Sequence, residues 1–292
     1  MTQVKHTACP NPKARCTLAK PQRGIRHVAP WVFFWKRNRP PPMQVLCIPA
    51  AKPTEYCTPI KPDSTQAVIL AAGKGTRMSP LTETRPKPMQ MVAGKNLIEW
   101  KLEALPDEIR EVVIVIGHQG EQIKIYFGDA WRGKAIRYVV QKELNGTAGA
   151  LWAAREHLHE RFLVMMGDDL YAKEDIARIL DHERAIGGQE IINKEVGGEI
   201  LSNPDGTFAG MNEPWHFVEH GLMNTGLYVL STEIFAYDPV PVGGSSTEFG
   251  LPHTLTVLAK DMPVAIVRAT KWLQVTTPED LQKATEFVSM KQ

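Results

Sequence analysis

Residues 67–89 read AVILAAGKGTRMSPLTETRPKPM, and this stretch decides the fold. Its first four residues form an apolar run that predicts a buried β-strand. Gly73 and Gly75 follow directly, and glycines in that place let backbone N–H groups approach a polyphosphate. Arg77 and Lys87 add two cations beside them. We therefore interpret the stretch as a strand that ends in an anion-binding loop.

Two other phosphate-binding motifs are excluded by their spacing. Residues 73–78 read GKGTRM, with methionine where a dinucleotide fingerprint needs its third glycine, and the chain contains no G-x-x-x-x-G-K-[ST]. A glycine turn with two solvated cations remains the alternative. The position of Lys87 between Pro86 and Pro88 favours the anion-binding interpretation.

Short apolar runs alternate with amphipathic stretches from Gln66 onward, which is typical of strand-helix-strand units that form a mainly parallel sheet with helices on both faces. The predicted strands are 67–70, 111–116, 136–140 and 162–166, and the helices between them are 96–105, 120–127 and 148–158. A helix (173–186), a strand-rich stretch (190–231), a helix (251–260), a strand (264–267) and a last helix opening at 277 follow. We expect a doubly wound α/β fold.

Ligands of open parallel sheets lie beyond the carboxyl ends of the strands. Asp168 lies in such a position, because it follows Gly167 at the carboxyl end of the predicted strand 162–166. A carboxylate there can hold a hard cation that bridges phosphate oxygens. Asp169 is expected instead to cap the following helix. Helix capping or solvation of both residues is the alternative for an isolated Asp-Asp pair.

A third group of polar residues follows the strand 136–140. Gln141 comes directly after it, and Asn145-Gly146-Thr147 forms a turn into a helix that Thr147 is expected to cap. The plain interpretation of this segment is a tight connection. A side-chain amide such as that of Gln141 can also match a pyrimidine edge as donor and acceptor at once.

Several motifs in a fixed order resemble the sugar-1-phosphate nucleotidyltransferases, also called nucleotide-sugar pyrophosphorylases, over residues 66–288. They are AAGKGTRMSPLT (71–82), RPKPM (85–89), VAGKNLIEW (92–100), QKELNGTAGAL (141–151), GDD (167–169), MNTGLYVL (223–230) and KWLQVTTPEDL (271–281). The resemblance implies a Rossmann-like nucleotide-diphospho-sugar transferase fold. It also implies a Mg²⁺-assisted reaction in which an NTP and a sugar 1-phosphate give an NDP-sugar and pyrophosphate.

The resemblance also implies roles for individual residues. Arg77 and Lys87 would be catalytic, holding the pyrophosphate leaving group, and Asp168 would be the metal ligand. The residues expected to contact the nucleotide are Leu70, Ala71, Ala72, Gly73, Gly75, Thr76, Gln141, Gly146 and Thr147, and those expected to contact the sugar are Gly198, Glu213, Asn224 and Thr225. A polar residue that opens a strand is the alternative for Asn224.

Two positions depart from the family pattern. Where the family commonly carries Glu-Lys-Pro, with the lysine on the sugar phosphate, the chain has Asn212-Glu213-Pro214. Where relatives often carry a second metal-binding aspartate two residues after a tryptophan, the chain has Gln274 after Trp272. Glutamine is neutral and holds Mg²⁺ more weakly than a carboxylate.

Residues 1–65 differ in composition from residues 66–292, the predicted nucleotidyltransferase domain. They hold 11 Lys/Arg against two acids, a charge of +9, whereas the rest holds 23 basic and 30 acidic side chains, a charge of −7. All four cysteines and 11 of the 22 prolines also lie in residues 1–65. We expect this segment to be disordered.

Other interpretations of residues 1–65 differ in their support. The cysteines form no C-x-x-C pair for zinc, and no apolar run fits a secretory signal. A transit peptide fits the arginine excess but not the proline content, and charge alone is weak evidence for a tail that binds nucleic acid or lipid. A translation start at Met43 would also explain the segment.

Several function classes have no support in the sequence. No apolar run approaches a membrane span, cysteine is absent after Cys57, and Ser79 has no Ser/His/Asp context. Neither a nucleic-acid nor a membrane partner is expected. His118, His220 and His253 are interpreted as ordinary surface or loop residues. The chain also lacks a hexapeptide-repeat region, so no fused acyltransferase is expected.

The favoured prediction is a cytoplasmic enzyme with UTP as donor and glucose or N-acetylglucosamine 1-phosphate as acceptor. UTP is favoured because the paired alanines of AAGKGTRM resemble those of uridylyltransferases. One alternative is a regulatory homologue that binds a nucleotide-sugar without turnover, which Gln274 and Asn212-Glu213 motivate. Another is a cytidylyltransferase of the phosphocholine type.

Overall fold

The computed structural model describes residues 65–213, 215–243 and 247–289. The predictions for residues 1–64 lie outside this range. The strands are β1 (Gln66–Ala71), β2 (Met91–Val92), β3 (Lys95–Asn96), β4 (Glu111–Ile116), β5 (Ala130–Trp131), β6 (Lys134–Val140), β7 (Arg161–Met166), β8 (Asp169–Tyr171), β9 (Ala185–Val196), β10 (Glu199–Ser202), β11 (Phe208–Asn212), β12 (His216–Ser231), β13 (Ala265–Ala269) and β14 (Trp272–Gln274). The α-helices are α1 (Leu97–Ala104), α2 (Gly120–Phe127), α3 (Gly146–Ala153), α4 (Lys173–Ile179), α5 (Leu251–Leu258) and α6 (Asp280–Ser289).

One large sheet runs through the described residues in the order β11-β10-β12-β7-β1-β4-β6-β5. Its four central strands β7, β1, β4 and β6 are parallel. β1, β4 and β7 are nearly continuous apolar runs because both of their faces are covered, whereas β6 alternates buried and exposed residues. Ile69 and Ala71 of β1 pack with α1, α2 and α4 on one face, and Val68 and Leu70 pack with α3 and α5 on the other. The predicted α/β fold with helices on both faces is confirmed.

The strand-rich stretch predicted over 190–231 forms the antiparallel side of this sheet. β12 pairs antiparallel with β7 and also with β9, and β13 joins β9 in parallel. The sheet is therefore mixed, with its parallel part at β7-β1-β4-β6. Within the described ranges, no helix is long and apolar enough to cross a membrane.

The helix predicted over 173–186 is too long. α4 ends at Ile179, and Ala185 and Ile186 already belong to β9, where both are fully buried. Ile186 pairs with Tyr228 of β12 and with Ile266 of β13. Burial between two neighbouring strands decides the conformation here against the helical spacing.

Candidate active site

The loop after β1 is held in a conformation that requires glycine at position 75. Gly75 has a φ of +64°, and a Cβ atom there would lie 2.8 Å from Cβ of Lys87. The Thr82 hydroxyl donates a hydrogen bond to the Gly75 carbonyl at 3.1 Å. A side chain at position 75 would therefore displace Lys87 as well as strain the backbone.

Lys87 is buried against the carboxyl ends of the parallel strands. Only 7% of the residue is exposed, and its Nζ lies 2.5 Å from Oδ2 of Asp168. The Asp168 side chain keeps 32% of its surface exposed. Lys87 is thus not a solvated cation, whereas Arg77 on the same loop is exposed.

The turn that carries Asp168 lies against the end of β1. The Gly167 N–H donates to the Leu70 carbonyl at 2.9 Å, and a Cβ atom at Gly167 would lie 2.6 Å from that oxygen. Glycine is required here because the two strand ends approach so closely. This contact places Asp168 beside the loop that follows β1.

Asp169 is buried and does not cap a helix. It lies in β8, 3% exposed, while the residue that precedes α4 is Ala172. The predicted capping role is therefore wrong. The indole N–H of Trp272 donates to Oδ2 of Asp169 at 3.2 Å. Burial and the neighbouring Asp168 raise the pKa of Asp169 well above its usual range.

Gln274 and Lys101 complete the surroundings of the two aspartates. Gln274 of β14 pairs with Asp169 in the short antiparallel ladder between β14 and β8. Lys101 of α1 is 1% exposed, and its Nζ donates to the Leu97 carbonyl at 3.2 Å. Burial lowers the pKa of Lys101 to about 8, although Asp168 and Asp169 act in the opposite direction.

A cavity of about 590 Å³ opens beyond the carboxyl ends of β1, β6 and β7. It brings together every residue predicted to contact the nucleotide, the two predicted catalytic cations and the predicted metal ligand. Its lining includes Leu70, Ala71, Ala72, Gly73, Gly75, Thr76, Arg77, Lys87, Gln141, Gly146, Thr147 and Asp168. We call it the first cavity.

The side chain of Gln141 is fixed at the end of β6. Its Nε2 donates to Oδ1 of Asn145 at 3.0 Å and to the Gly146 carbonyl at 3.1 Å. Both amide hydrogens are engaged within the protein, and Oε1 remains as an acceptor. The expectation that this amide acts as donor and acceptor at once is therefore wrong.

Gly146 and Thr147 tie α3 to the loop before α5. Gly146 has a φ of +94°, and a Cβ atom there would lie 2.4 Å from the Phe249 carbonyl oxygen. The Thr147 hydroxyl accepts a hydrogen bond from the Leu251 N–H at 2.9 Å. Thr147 lies within α3 and bonds to the first turn of α5, so its predicted capping of α3 is wrong.

A second cavity of about 460 Å³ adjoins the first, and the linings of both include Arg77, Asp169 and Gln274. Three residues predicted to contact the sugar lie in it, namely Glu213, Asn224 and Thr225. Gly198, the fourth, lines neither cavity; its carbonyl accepts a hydrogen bond from the Asn224 N–H at 3.0 Å.

Two of these polar side chains already have partners in the fold. Nδ2 of Asn224 donates to the Tyr228 hydroxyl at 2.8 Å, and its Oδ1 accepts from the Gly226 N–H at 3.0 Å. The Thr225 hydroxyl donates to the Gly187 carbonyl, and the residue is 1% exposed. Asn224 thus keeps one amide hydrogen for a ligand, whereas the hydroxyl hydrogen of Thr225 is already engaged.

Sequence reasoning missed several residues of the two cavities. His253 was interpreted as an ordinary surface or loop residue, yet it lines the second cavity, as do Glu248 and Phe249. Lys101, which lines neither cavity, could also have been noticed, because it lies on the apolar stripe of α1, four residues after Leu97. In the part of the chain that the structure describes, no cluster of three or more His, Cys, Asp or Glu could hold a metal ion.

The position of the first cavity defines the class of protein. Ligands of open α/β sheets bind beyond the carboxyl ends of parallel strands, and this cavity lies there, lined by a glycine loop. By fold the protein is a Rossmann-like α/β protein with a cavity at the carboxyl ends of its parallel strands. The family model described as nucleotidyl transferase matches residues 66–291, and the chain belongs to that family.

Three similar proteins illustrate the family. The bifunctional protein GlmU of Methanococcus maripaludis is 34% identical over 171 residues, which are 58% of this chain and 41% of that protein. The UTP--glucose-1-phosphate uridylyltransferase AglF of Haloferax volcanii is 30% identical over 231 residues, 76% of this chain and 95% of AglF. A UDP-glucose pyrophosphorylase solved with UDP-glucose shares the fold, with a TM-score of 0.63 at 21% identity over 78% of this chain and 99% of that one.

Proposed function

We propose that the protein transfers a nucleotidyl group from an NTP to a sugar 1-phosphate and releases pyrophosphate. The observation that supports this function best is the ion pair of Lys87 with Asp168 in the wall of the first cavity. It brings a phosphate-binding cation next to a carboxylate that can hold a divalent cation. Family membership supports the same reaction class.

The proposed reaction is an in-line displacement at phosphorus. An oxygen of the acceptor phosphate forms a bond to the α-phosphorus of the NTP, and the bond from that phosphorus to the α,β-bridging oxygen breaks. Pyrophosphate leaves with the bonding electron pair. Such a reaction needs positioning and charge neutralisation more than a covalent nucleophile. Arg77 and Lys87 would stabilise the charge that develops on the leaving group.

Mg²⁺ is the cofactor that we propose, with Asp168 as its ligand. Mg²⁺ is commonly bound by one or two carboxylates together with substrate phosphates and waters, and the partly exposed carboxylate of Asp168 fits that donor set. Gln274, which faces Asp169, could add an amide oxygen. When bound, the cation would neutralise phosphate oxygens.

UTP is the proposed donor, and glucose 1-phosphate or N-acetylglucosamine 1-phosphate the acceptor favoured by similarity. The remaining acceptor atom, Oε1 of Gln141, suits a base that presents an N–H group, as uracil does. AglF, to which the chain is similar, carries UTP and glucose 1-phosphate in its name. Leu70 to Thr76 would contribute backbone groups to the nucleotide.

We also propose that residues 66–292 form the catalytic domain and that it acts in the cytoplasm. The family model spans residues 66–291, which supports the boundary. The absence of cysteine after Cys57 suits a reducing compartment.

The test is a screen of four NTPs against several sugar 1-phosphates with Mg²⁺, read as pyrophosphate release. We expect turnover that is highest with UTP. Asp168→Asn should lower kcat by about 100-fold or more, because removing the charge weakens both the metal contact and the pair with Lys87. Asp107→Asn, on the exposed loop after α1, is the matched control and should stay within twofold. Near-normal turnover by Asp168→Asn would contradict the metal role.

A regulatory homologue that binds a nucleotide-sugar without turnover is the second candidate. Gln274 opposite Asp169 favours it, because a neutral amide replaces a carboxylate in the surroundings of the metal site. The same screen separates the two functions. Binding of UDP-glucose without pyrophosphate release from any combination would favour the regulatory protein.

A further inference from the structure

Residues 81–85 lie along the chain between Arg77 and Lys87, the two cations proposed to hold pyrophosphate. Four of these five residues are exposed, and Thr82 is buried. A Cβ atom at Gly75 would lie 3.1 Å from Cγ2 of Thr82, so the segment packs directly against the glycine loop. The path of this segment therefore decides where the chain returns to the first cavity at Lys87.

Gln90 holds both ends of the segment. Its Nε2 donates to the Leu81 carbonyl at 3.1 Å and to the Arg85 carbonyl at 2.9 Å, so both amide hydrogens are engaged. Its backbone N–H donates to the Lys87 carbonyl at 3.0 Å and closes the turn that carries the lysine. The residue is only 6% exposed. Gln90 therefore fixes the backbone on both sides of Lys87.

Gln119 and Gln122 hold the middle of the segment from the N-terminal end of α2. Nε2 of Gln119 donates to the Thr82 carbonyl at 3.1 Å and to the Glu83 carbonyl at 3.0 Å. Nε2 of Gln122 donates to the Thr84 carbonyl at 3.0 Å and to Oε1 of Gln119 at 3.3 Å. Every carbonyl of the segment thus accepts a hydrogen bond from a glutamine side chain.

These bonds come from neutral amides, which engage the carbonyls without adding a charge beside the phosphate site. Precise placement matters there, because a displacement of about 1 Å can lower a reaction rate by about 100-fold. We propose that Gln90 and Gln119 are positioning residues for the pyrophosphate leaving group. By fixing residues 81–85, they keep Arg77 and Lys87 at a constant separation. This inference rests on the proposed function and deepens it.

The test compares the full chain with Gln90→Met and Gln119→Met. Methionine is close to glutamine in length and removes both amide hydrogens. We expect kcat to fall by about tenfold in each variant, because the two cations are then held less precisely. The dissociation constant of pyrophosphate with Mg²⁺, measured by calorimetry, should rise by about fivefold or more. The dissociation constant of UMP and the KM of the acceptor should stay within about twofold, because neither compound contains the leaving group.

Gln282→Met, on the exposed face of α6, is the matched control and should leave these quantities and Tm unchanged. Equal pyrophosphate affinity in the wild type and Gln119→Met would overturn the inference, as would a wild type that does not bind pyrophosphate. A parallel loss of pyrophosphate affinity, UMP affinity and Tm would also overturn it, because it would show a general weakening of the fold. Gln119→Met decides the test if Gln90→Met does not fold.

Binding and turnover separate this inference from the proposed function. Weaker pyrophosphate binding by the two variants, with no turnover of any NTP and sugar 1-phosphate by the wild type, would keep the inference and reject the function. Turnover by the wild type, with equal pyrophosphate affinity in both variants, would keep the function and reject the inference.

Discussion

The two cavities are built in different ways. Most of the first is made from consecutive residues, 70–77, together with the turn 166–169, and its charged groups include the partly buried ion pair of Lys87 with Asp168. The second is assembled from segments far apart in the sequence, including 213, 224–228, 242 and 248–253. The first cavity thus depends on local backbone geometry, and the second depends on how distant elements pack. Substitutions of the charged and metal-site residues should act directly on chemistry, and substitution of Gly146, which lines both cavities, should act through the fold.

The largest effect is expected from Lys87→Met, which tests whether the first cavity carries the chemistry. The ammonium group of Lys87 should face the negative charge that develops on the pyrophosphate leaving group. Its removal should therefore lower kcat/KM by about 10³-fold. Steady-state pyrophosphate release measures this, with Tm as a check on folding. Lys124→Met, on the surface of α2, is the matched control and should stay within twofold. A loss below tenfold for Lys87→Met would contradict the comparison.

Gly146→Ala tests the boundary between the two cavities, because Gly146 lines both of them. The substitution should destabilise the protein by about 3 to 4 kcal/mol. The strain of a positive φ adds to a clash with the Phe249 carbonyl. Gly133→Ala is the control, because Gly133 has a φ of +82° and no atom within 4 Å of the added Cβ. It should cost about 1 to 2 kcal/mol from strain alone. Urea unfolding measures both, and equal costs would show that the contact with Phe249 contributes nothing.

Lys101→Met tests the buried charge behind the first cavity and should stabilise the protein by about 2 to 3 kcal/mol at pH 7. Burial lowers the pKa of Lys101 from 10.5 to about 8. Below pH 8 the folded state carries the full cost of the buried cation, and above pH 10.5 the amine is neutral in both states. The stability difference between variant and wild type should therefore shrink from pH 8 to pH 10.5.

Unfolding of the wild type and of Lys101→Met, measured from pH 7 to pH 10.5, checks whether their stability difference shrinks as the pH rises. Lys283→Met, on the exposed face of α6, should change stability by less than about 0.5 kcal/mol throughout. A destabilised Lys101→Met protein at pH 7 would mean that attraction to the two aspartates exceeds the cost of burial.

The smallest effect is expected from Gln274→Asp, which tests whether position 274 contributes to the proposed Mg²⁺ site. A carboxylate opposite Asp169 should lower the Mg²⁺ concentration for half-maximal activity by about fivefold, roughly 1 kcal/mol. Titration of activity with Mg²⁺ and calorimetric binding of Mn²⁺ measure it. Gln282→Asp, exposed on α6, is the control. An unchanged Mg²⁺ requirement would place position 274 outside the metal site.

Much of the fold could be predicted because its signals are local. The strand 111–116 and the helix 120–127 have the predicted bounds, since a buried apolar run and helical spacing each follow from a few neighbouring residues. The end of α4 could not be predicted in this way. Ile186 fits a helical pattern, and only its burial between β12 and β13 makes it part of a strand.

The candidate site likewise has features that could be predicted from the sequence and features that could not. Residues predicted to contact the nucleotide do line one cavity, but the sequence did not reveal that Lys87 pairs with Asp168 or that the hydrogens of Gln141 are already engaged. Lys87 and Asp168 lie 81 residues apart and meet only when the strand ends converge. The bonds of Gln141 to Asn145 and Gly146 are local, but they depend on the conformation of the turn after β6.

The sequence by itself determined the order of strands and helices, the glycine loop and the residues that follow each strand. These features depend on backbone preferences and on apolar periodicity over a few residues. Only the tertiary structure decided that Asp169 is buried, that Gly198 lies outside both cavities and that Glu213 shares a cavity with His253. Asp169 is placed by the pairing of β8 with β14, Gly198 by its contact with β12, and His253 by the packing of α5, and these contacts bring together residues that no local pattern connects.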